Sequence, residues 1–486
     1  MDLLHLERGL LGDLWTSTAV WDTLAFLCDA CHGRLAGTAD ERRARDYLLD
    51  RLRGYGLDHV SIEPFEMRGW ERGEAHLLLE AAGQQIELPC IALPGSLACD
   101  LRAELLDVGR GAAPDYARLG DAAQGKIVFN SVDGVGRAEM YRAACDAGAA
   151  AFVFTSGQPG LLPPTGSIGR DVPGIGLAAE QLARLRRMLA AGAVHARLTL
   201  TCRVQPVTAY NVIAEIPGTD PGQGWILEGG HYDGHDISQA AQDNGAAVAA
   251  LLEAARLLSP LRQHLKAGIR FVFFSGEELG LYGSYAYARQ HAAELDSLRL
   301  VLNADVVAQA MPLVLQTQAS PALAAYFRSL PLDQLDCVVN DAPGSFIMNS
   351  DHFPFSLAGV AGVWAVTTPP PPGRGWVHFS ADSVDKVEPR LLRQTAAALT
   401  RLLLHMAAEP DALPRGLASP AEVQRAVTAA GFEPALRASG RWLFGDDLAW
   451  RGGFTPPRPY PPSSLSPTTH PCASSPGAFE SQTPPG

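Results

Sequence analysis

The 486-residue sequence has no excess of positive charge, no long uncharged hydrophobic run and no cysteine framework. Its formal net charge of −13 argues against unassisted binding to nucleic acid or anionic membranes, because neutralising phosphates requires clustered lysine and arginine. No segment has the roughly 18 consecutive apolar residues of a membrane-spanning helix. Eight scattered cysteines in a chain of this length do not form a disulfide framework. The length instead allows two or more globular domains.

The N-terminal segment MDLLHLERGLLGDLW lacks the basic start and apolar core of a signal peptide, so we expect a cytoplasmic protein. The oligomeric state cannot be read from the sequence. The stretch CDACH, residues 28–32, matches the C-x-x-C-H pattern of haem attachment. That chemistry normally belongs to exported proteins, and the segment lies within a helical pattern. We therefore favour a local packing role for both cysteines.

Changes in composition divide the chain into four parts. Residues 1–70 contain a helix-like stretch and an extended segment, and alternating strands and helices from about residue 206 to 405 predict an α/β domain around a mostly parallel sheet. Residues 71–205 carry short apolar strands and read as a β-rich insert. A capped helix is predicted within a C-terminal extension, 411–454, and ten of the 32 residues in the tail, 455–486, are proline. We expect this tail to be disordered.

Metal-ligating side chains follow strand-like runs along the α/β part. The apolar run WILEGG, for example, ends just before His231, and an Ala/Leu-rich helix begins at Ala246. In open α/β sheets, sites form where the carboxyl ends of the strands meet. Five candidates share this placement: His231, Asp243, Glu278, Asp305 and His378. Two imidazoles and three carboxylates are a sound ligand set for a pair of zinc-like cations.

The order of these motifs resembles a known family. HYD, QDNG, GEELGLYGS, NAD, SDH and a late histidine occur in the same order in the di-zinc exopeptidases of metallopeptidase clan MH. That clan includes bacterial leucyl aminopeptidases and glutamate carboxypeptidase II. The resemblance covers residues 206–400, extends to an entry segment at 33–57, and makes the insert similar to a protease-associated domain. It implies a zinc exopeptidase fold with discontinuous peptidase segments, 1–70 and 206–410.

The resemblance also implies the roles of the candidate ligands. Asp243 would bridge two Zn²⁺ ions, which would be the cofactors of each chain. His231 and Asp305 would complete one metal site, and Glu278 and His378 would complete the other. Three ligand carboxylates against four positive charges leave a site able to stabilise hydroxide. Cobalt or manganese could replace zinc in vitro, since the same ligands accept them.

Two further carboxylates receive roles from the same resemblance. Asp233 would orient the imidazole of His231, as ligand histidines generally require. Glu277 would be the general base for a metal-bridging hydroxide. The resulting hypothesis is a zinc-dependent aminopeptidase that hydrolyses N-terminal residues from peptides.

Two alternatives remain open at this stage. A carboxypeptidase or dipeptidase of the same family needs a cationic clamp for the substrate carboxylate, and Arg374 is the one candidate in the sequence. A non-catalytic, receptor-like scaffold is disfavoured, because no ligand and no base is missing.

Four other polar residues lie near these motifs. Asp351 and His352, in the segment SDHFPF, are as consistent with a structural role as with contact to substrate. His235 and Asp236, in the loop after His231, are further potential ligands, and we interpret both as solvated.

Overall fold

The computed structural model describes residues 2–81, 83–132, 134–318, 320–342, 346–367, 375–414 and 418–444. The Pro-rich tail and Arg374 lie outside these ranges. The strands are β1 (Asp58–Glu71), β2 (Ala75–Ala81), β3 (Gln84–Leu88), β4 (Cys90–Ala92), β5 (Cys99–Asp107), β6 (Ile127–Phe129), β7 (Ala151–Phe154), β8 (Gly174–Leu177), β9 (His195–Leu200), β10 (Arg203–Ile216), β11 (Trp225–His231), β12 (Gly268–Phe274), β13 (Leu298–Ala304), β14 (Leu313–Gln316), β15 (Cys337–Asn340) and β16 (Gly362–Val366).

Thirteen α-helices lie within the described residues. They are α1 (Leu3–Thr16), α2 (Ala19–Asp29), α3 (Ala39–Gly54), α4 (Ala113–Leu119), α5 (Arg137–Asp146), α6 (Ala179–Ala191), α7 (Ala246–Leu258), α8 (Tyr282–Gln290), α9 (Pro321–Ser329), α10 (Phe353–Leu357), α11 (Pro389–Ala408), α12 (Pro420–Ala429) and α13 (Glu433–Ala438). None of them is long and apolar enough to cross a bilayer.

One eight-stranded sheet has the order β1-β10-β12-β11-β13-β16-β14-β15. Its central strands β12, β11, β13 and β16 are parallel neighbours, while β1, β10 and β14 join antiparallel. All seven residues of β12 are buried, as expected for a parallel strand with helices on both faces. The prediction of an α/β fold around a mostly parallel sheet is confirmed.

Helix α7 covers this sheet at its centre. Twelve of its thirteen residues are buried, and six of these are alanines, whose small side chains allow neighbouring helices to pack closely. Helices α2 and α11 contribute to the same hydrophobic core. Cys28 and Cys31 are fully buried in this core as free thiols, in agreement with a packing role.

A second eight-stranded sheet, in the order β3-β2-β9-β5-β6-β7-β8-β4, lies within the range predicted for the insert. It has hydrophobic clusters of its own, around Leu77, Leu198 and Phe152. Strands β1 and β10 pair along their length and connect this sheet to the first one. The domain boundaries and the likeness to a protease-associated domain stay predictions.

Helix α12 begins and ends with the signals that the sequence predicts. Ser419 caps it, and the Glu422 carboxylate accepts a hydrogen bond from the Ser419 backbone nitrogen at 2.7 Å. Gly431, with a φ of +75°, follows its end. Val423 and Val427 are buried in a cluster that also contains Phe353 of α10. The C-terminal extension therefore packs against the segment that follows the SDH motif.

Candidate metal centre

The candidate ligands meet at the carboxyl edge of three adjacent parallel strands. β11 ends at His231, which lies opposite Phe274, the last residue of β12. Glu278 follows β12 after a short turn, and Asp305 directly follows β13. Because β12 and β13 flank β11 on either side, their ends bring these side chains to one place.

The first group of ligating atoms contains one imidazole and two carboxylates. Nε2 of His231 is 3.3 Å from Oδ1 of Asp243 and 3.4 Å from Oδ1 of Asp305. All three residues are buried. Two donor atoms at about 2.1 Å from a tetrahedral ion are roughly 3.4 Å apart, so this spacing suits a metal ion.

The second group lies on the other side of Asp243. Nε2 of His378 is 3.2 Å from Oδ2 of Asp243 and 3.5 Å from Oε2 of Glu278. The two oxygens of the Asp243 carboxylate therefore face different histidines. Such an arrangement permits one carboxylate to bridge two ions. The structure brings all five predicted ligands together, and their roles as ligands remain predictions.

The acid-rich surroundings shift the pKa values of these groups in opposite directions. Burial raises the pKa of Glu278 well above its usual range, and the nearby Asp243 charge raises it further. For His231, burial is opposed and outweighed by the surrounding carboxylates, so its pKa is raised. The pKa of Asp243 is lowered despite its burial, because both histidines contact it. A cluster of buried carboxylates of this kind favours the binding of cations.

Glu277 differs from its neighbour in belonging to neither group of ligating atoms. Its side chain is 13% exposed, and Oε2 lies 4.0 Å from Nε2 of His231. Burial, with the negative charges of Asp305 and Glu278, raises its pKa well above that of an ordinary glutamate. A carboxylate that is close to the ligands but not one of them is placed to accept a proton.

Asp233 contacts more of the site than the sequence predicts. Nδ1 of His231 bonds the backbone carbonyl of Asp233 at 3.2 Å and lies 3.5 Å from its carboxylate. That carboxylate accepts the backbone N–H groups of Glu277 and Glu278 at 3.2 and 3.3 Å. Asp233 thus positions the turn that carries both glutamates, in addition to orienting the imidazole of His231.

Two residues fix the loop that presents Asp243. The side chain of Asn244 donates to Ala304 O at 2.9 Å and accepts from Val306 N at 3.2 Å, on either side of Asp305. The carboxylate of Asp382 accepts the backbone N–H of Asp243 at 3.1 Å. Burial raises the pKa of Asp382 to about 7. The sequence analysis missed Asp382, which lies 139 residues from its partner.

Arg34 is the largest buried side chain near this loop, and the sequence analysis missed it as well. Its guanidinium donates to five backbone carbonyls, and three of these, those of Tyr232, Gln239 and Ala240, belong to the loop between His231 and Asp243. A planar fork with five donors suits this set of acceptors better than any other side chain does. Arg34 therefore fixes the path of the metal-site loop.

We expect Arg34→Lys to destabilise the protein by about 3 kcal/mol or more, because an ammonium cannot reach five separated acceptors and leaves several of them unpaired. Urea denaturation measures the change in the free energy of unfolding. Arg43→Lys is the matched control, since Arg43 is 53% exposed on α3 and its replacement should cost under about 1 kcal/mol. Equal stability of the two variants would contradict the role of Arg34.

The interpretation of His235 and Asp236 as solvated is wrong. His235 is only 2% exposed, and burial lowers its pKa to about 3. Asp236 is half-buried and accepts two hydrogen bonds from Arg72, at 2.6 and 2.8 Å. The physical reason is tertiary, because Arg72 and Gly33 pack against this loop from distant parts of the chain.

The insert contacts the metal-site residues directly. A guanidinium nitrogen of Arg137 lies 3.3 Å from Nδ1 of His378, and the backbone N–H of Thr165 donates to His378 O at 2.9 Å. The hydroxyl of Ser167 donates to the backbone oxygen of Glu278. Residues of the predicted insert therefore border the candidate metal centre.

The SDH segment supports Asp305. Ser350 donates to Oδ2 of Asp305 at 2.6 Å and accepts from the side chain of Asn303 at 2.7 Å. His352 is fully buried and stacks on Trp364 with nearly parallel rings. Burial lowers the pKa of His352 to about 3. Between about pH 6.5 and pH 3, this histidine is therefore neutral in the folded protein but protonated in the unfolded chain.

We expect His352→Phe to make folding less sensitive to acid. Between about pH 6.5 and pH 3 the unfolded chain binds a proton at His352 that the native state does not, so stability falls as pH falls. The loss is about 1.4 kcal/mol per pH unit. We would measure the free energy of unfolding at pH 7 and at pH 5. Between these two pH values, the wild-type protein should lose about 2 kcal/mol more than the variant does. Identical losses would contradict a buried neutral histidine.

Comparison with known proteins agrees with the fold. Residues 211–403 match the model of peptidase family M28. Carboxypeptidase Q of Bos taurus is 29% identical over 59% of this chain and 64% of its own length. Aminopeptidase YwaD of Bacillus subtilis is 27% identical over 78% of this chain and 82% of its own length. The alignments with carboxypeptidase Q of Xenopus laevis and of cattle thus span about two thirds of those proteins.

Solved structures extend the likeness to most of the chain. The zinc aminopeptidase BSAP from Bacillus subtilis is 26% identical with a TM-score of 0.63, covering 80% of this chain and 95% of its own. A peptidase M28 precursor from Shewanella amazonensis shares the fold, with a TM-score of 0.74 over 86% of this chain and 99% of its own, at 24% identity.

The match to a peptidase family model and the likeness to aminopeptidase YwaD and to BSAP indicate that the chain is a metallo-exopeptidase. The match to peptidase family M28 is confined to residues 211–403. The similarity to a zinc aminopeptidase and the grouped ligating atoms support zinc as the metal.

Proposed function

We propose that this chain is a two-zinc aminopeptidase that removes N-terminal residues from peptides. One observation carries the proposal, namely that the two oxygens of Asp243 face separate histidines, His231 and His378, at 3.3 and 3.2 Å. Asp305 would complete the first metal site and Glu278 the second. When bound, the zinc ions would polarise the scissile carbonyl and lower the pKa of water at the site.

The proton transfers fall to Glu277. Its raised pKa means that the carboxylate accepts a proton more readily than an ordinary glutamate does. Asp233 positions it through the backbone N–H bond at 3.2 Å. Glu277 would take a proton from the attacking water and return it to the amine that leaves when the peptide bond breaks.

The charge of the site favours an amino-terminal substrate. Asp351 is fully buried beside the site, close enough that its charge contributes to the raised pKa of Glu277. Carboxylates near the reacting bond suit the free ammonium group of a peptide N-terminus. The likeness to YwaD and to BSAP, which are named as aminopeptidases, also supports cleavage at the amino terminus.

A carboxypeptidase or dipeptidase is the second candidate. The relatives named carboxypeptidase Q support it, and so does the guanidinium of Arg137, which lies 3.3 Å from the ring of His378. A cation at this place could pair with a substrate carboxylate.

A matched substrate panel separates the two candidates. We would compare a leucyl tripeptide with its N-acetylated and its C-amidated forms, alongside free-amine aminoacyl nitroanilides, before and after chelator dialysis and zinc addition. An aminopeptidase should cleave the amidated peptide and the anilides but not the acetylated peptide. Cleavage that survives acetylation and fails on amidation would instead indicate a carboxypeptidase. No zinc-restored cleavage of any substrate would refute both candidates.

A further inference from the structure

A third histidine is buried against the candidate metal centre. His235 lies four residues after His231, and its Nε2 is 2.8 Å from Oε2 of Glu278. Its ring also meets that of His378 edge-to-face, with 4.8 Å between the ring centroids. The nitrogen of His235 and the predicted ligand atoms of Glu278 and His378 all lie within 4.8 Å of one another.

The polar atoms of this group are not satisfied by hydrogen bonds. Among the described residues, neither ring nitrogen of His235 has a hydrogen-bond partner, and neither does Oε1 of Glu278. The 2.8 Å contact between the two side chains is close, but it lacks the angles of a hydrogen bond. Leaving buried polar groups unpaired costs about 1–3 kcal/mol each. Nitrogen and oxygen atoms directed together in this way are typical of ligands around a cation.

The backbone prevents His235 from turning out to solvent. Asp236, the next residue, is fixed by two hydrogen bonds to Arg72 at 2.6 and 2.8 Å. A side chain at Gly33 would come within 2.6 Å of the backbone of both His235 and Asp236, so the two segments pack without space between them. The imidazole is therefore fixed on the side of Glu278 and His378.

We infer that His235 is a ligand of the metal ion held by Glu278 and His378, a role that rests on the proposed pair of metals. With Asp243 as the bridge, this site would have four protein ligands, two nitrogens and two oxygens. The other site would have only the three ligands His231, Asp243 and Asp305.

The two metal sites would consequently differ in kind. A site with four protein ligands is closed, as structural zinc sites are, while three protein ligands leave a position open for water or substrate. The site with His235 should bind its ion more tightly and exchange it more slowly. The reaction would then depend on the open position beside His231.

The test is a calorimetric titration, in which Zn²⁺ is added to the full-length, demetallated protein and the heat of binding is measured. The wild-type protein should bind two ions with affinities at least tenfold apart. Removing an outer partner of a ligand already costs 10- to 100-fold in affinity. We therefore expect His235→Gln to weaken the tighter site by about 100-fold or more. The weaker site should change by less than about threefold.

The glutamine variant distinguishes two roles of His235, direct binding of the metal ion and positioning of Glu278. Glutamine keeps an N–H group that can donate to Glu278 but is a poor zinc ligand, so unchanged affinity in His235→Gln would overturn the inference. His291→Gln is the matched control, because His291 is a partly buried histidine paired with Glu63 at 2.8 Å in another part of the structure. This control should bind both ions like the wild type.

A measurement on the wild-type protein does not depend on the stability of any variant. X-ray absorption of the protein loaded with one equivalent of Zn²⁺ should show two imidazole ligands, and one imidazole would overturn the inference. If two imidazoles and two binding affinities are found but no peptide is cleaved, the proposed function fails while the assignment of His235 stands. If the wild-type protein binds no Zn²⁺, both fail.

Discussion

Glu277→Gln is expected to reduce kcat by about 10²- to 10⁴-fold while leaving the metal content of the protein unchanged. The amide has nearly the same shape as the carboxylate but cannot accept a proton at neutral pH. Because Glu277 belongs to neither group of ligating atoms, its replacement should not remove a ligand. The measurements are peptide hydrolysis at saturating substrate and metal analysis of the same dialysed sample.

The neighbouring glutamate provides the contrast. Glu278→Gln replaces a carboxylate whose Oε2 lies 3.5 Å from Nε2 of His378, so this variant should lose metal together with activity. The two variants would then both lose turnover, but only Glu278→Gln would lose metal. If Glu277→Gln also released metal, Glu277 would be a ligand and not the base.

Asp243→Asn should lose both ions on dialysis and retain only background activity. The substitution removes the charge from the one carboxylate whose two oxygens face both histidines. An amide also replaces one acceptor oxygen by an NH₂ group, which cannot bind a cation. Since both metal sites share this residue, we expect a larger effect on metal content than from any other single ligand.

Thermal denaturation offers a second measurement for Asp243→Asn. A ligand at 100 times its Kd stabilises a native protein by about 2.7 kcal/mol, so zinc should raise the Tm of the wild-type protein and chelation should lower it. The variant should show neither shift. Asp121→Asn, an exposed aspartate in the insert, is the control and should respond like the wild type. An Asp243→Asn protein that still contains two ions would contradict the bridging role.

Several features could be predicted from the sequence because their signals are local. The strand before His231 is a continuous apolar run, and helix α12 has its capping residues within three positions of its start. The five candidate ligands each follow a predicted strand, and parallel strands end at a common edge. This regularity, together with the family resemblance, is why the sequence predicts that His231, Asp243 and Asp305 share one site.

The sequence by itself thus determined the type of fold, the order of the candidate ligands and the chemistry of their side chains. The tertiary structure alone decided which other polar residues join them. Asp382, Arg34 and the pair of Arg72 with Asp236 act across separations of 139 to 206 residues, and no local pattern contains such contacts. His235 shows the same limit, because a polar loop sequence predicts exposure unless a distant segment packs over it. Burial is a property of the assembled chain, and here it places a third imidazole beside two of the candidate ligands, Glu278 and His378.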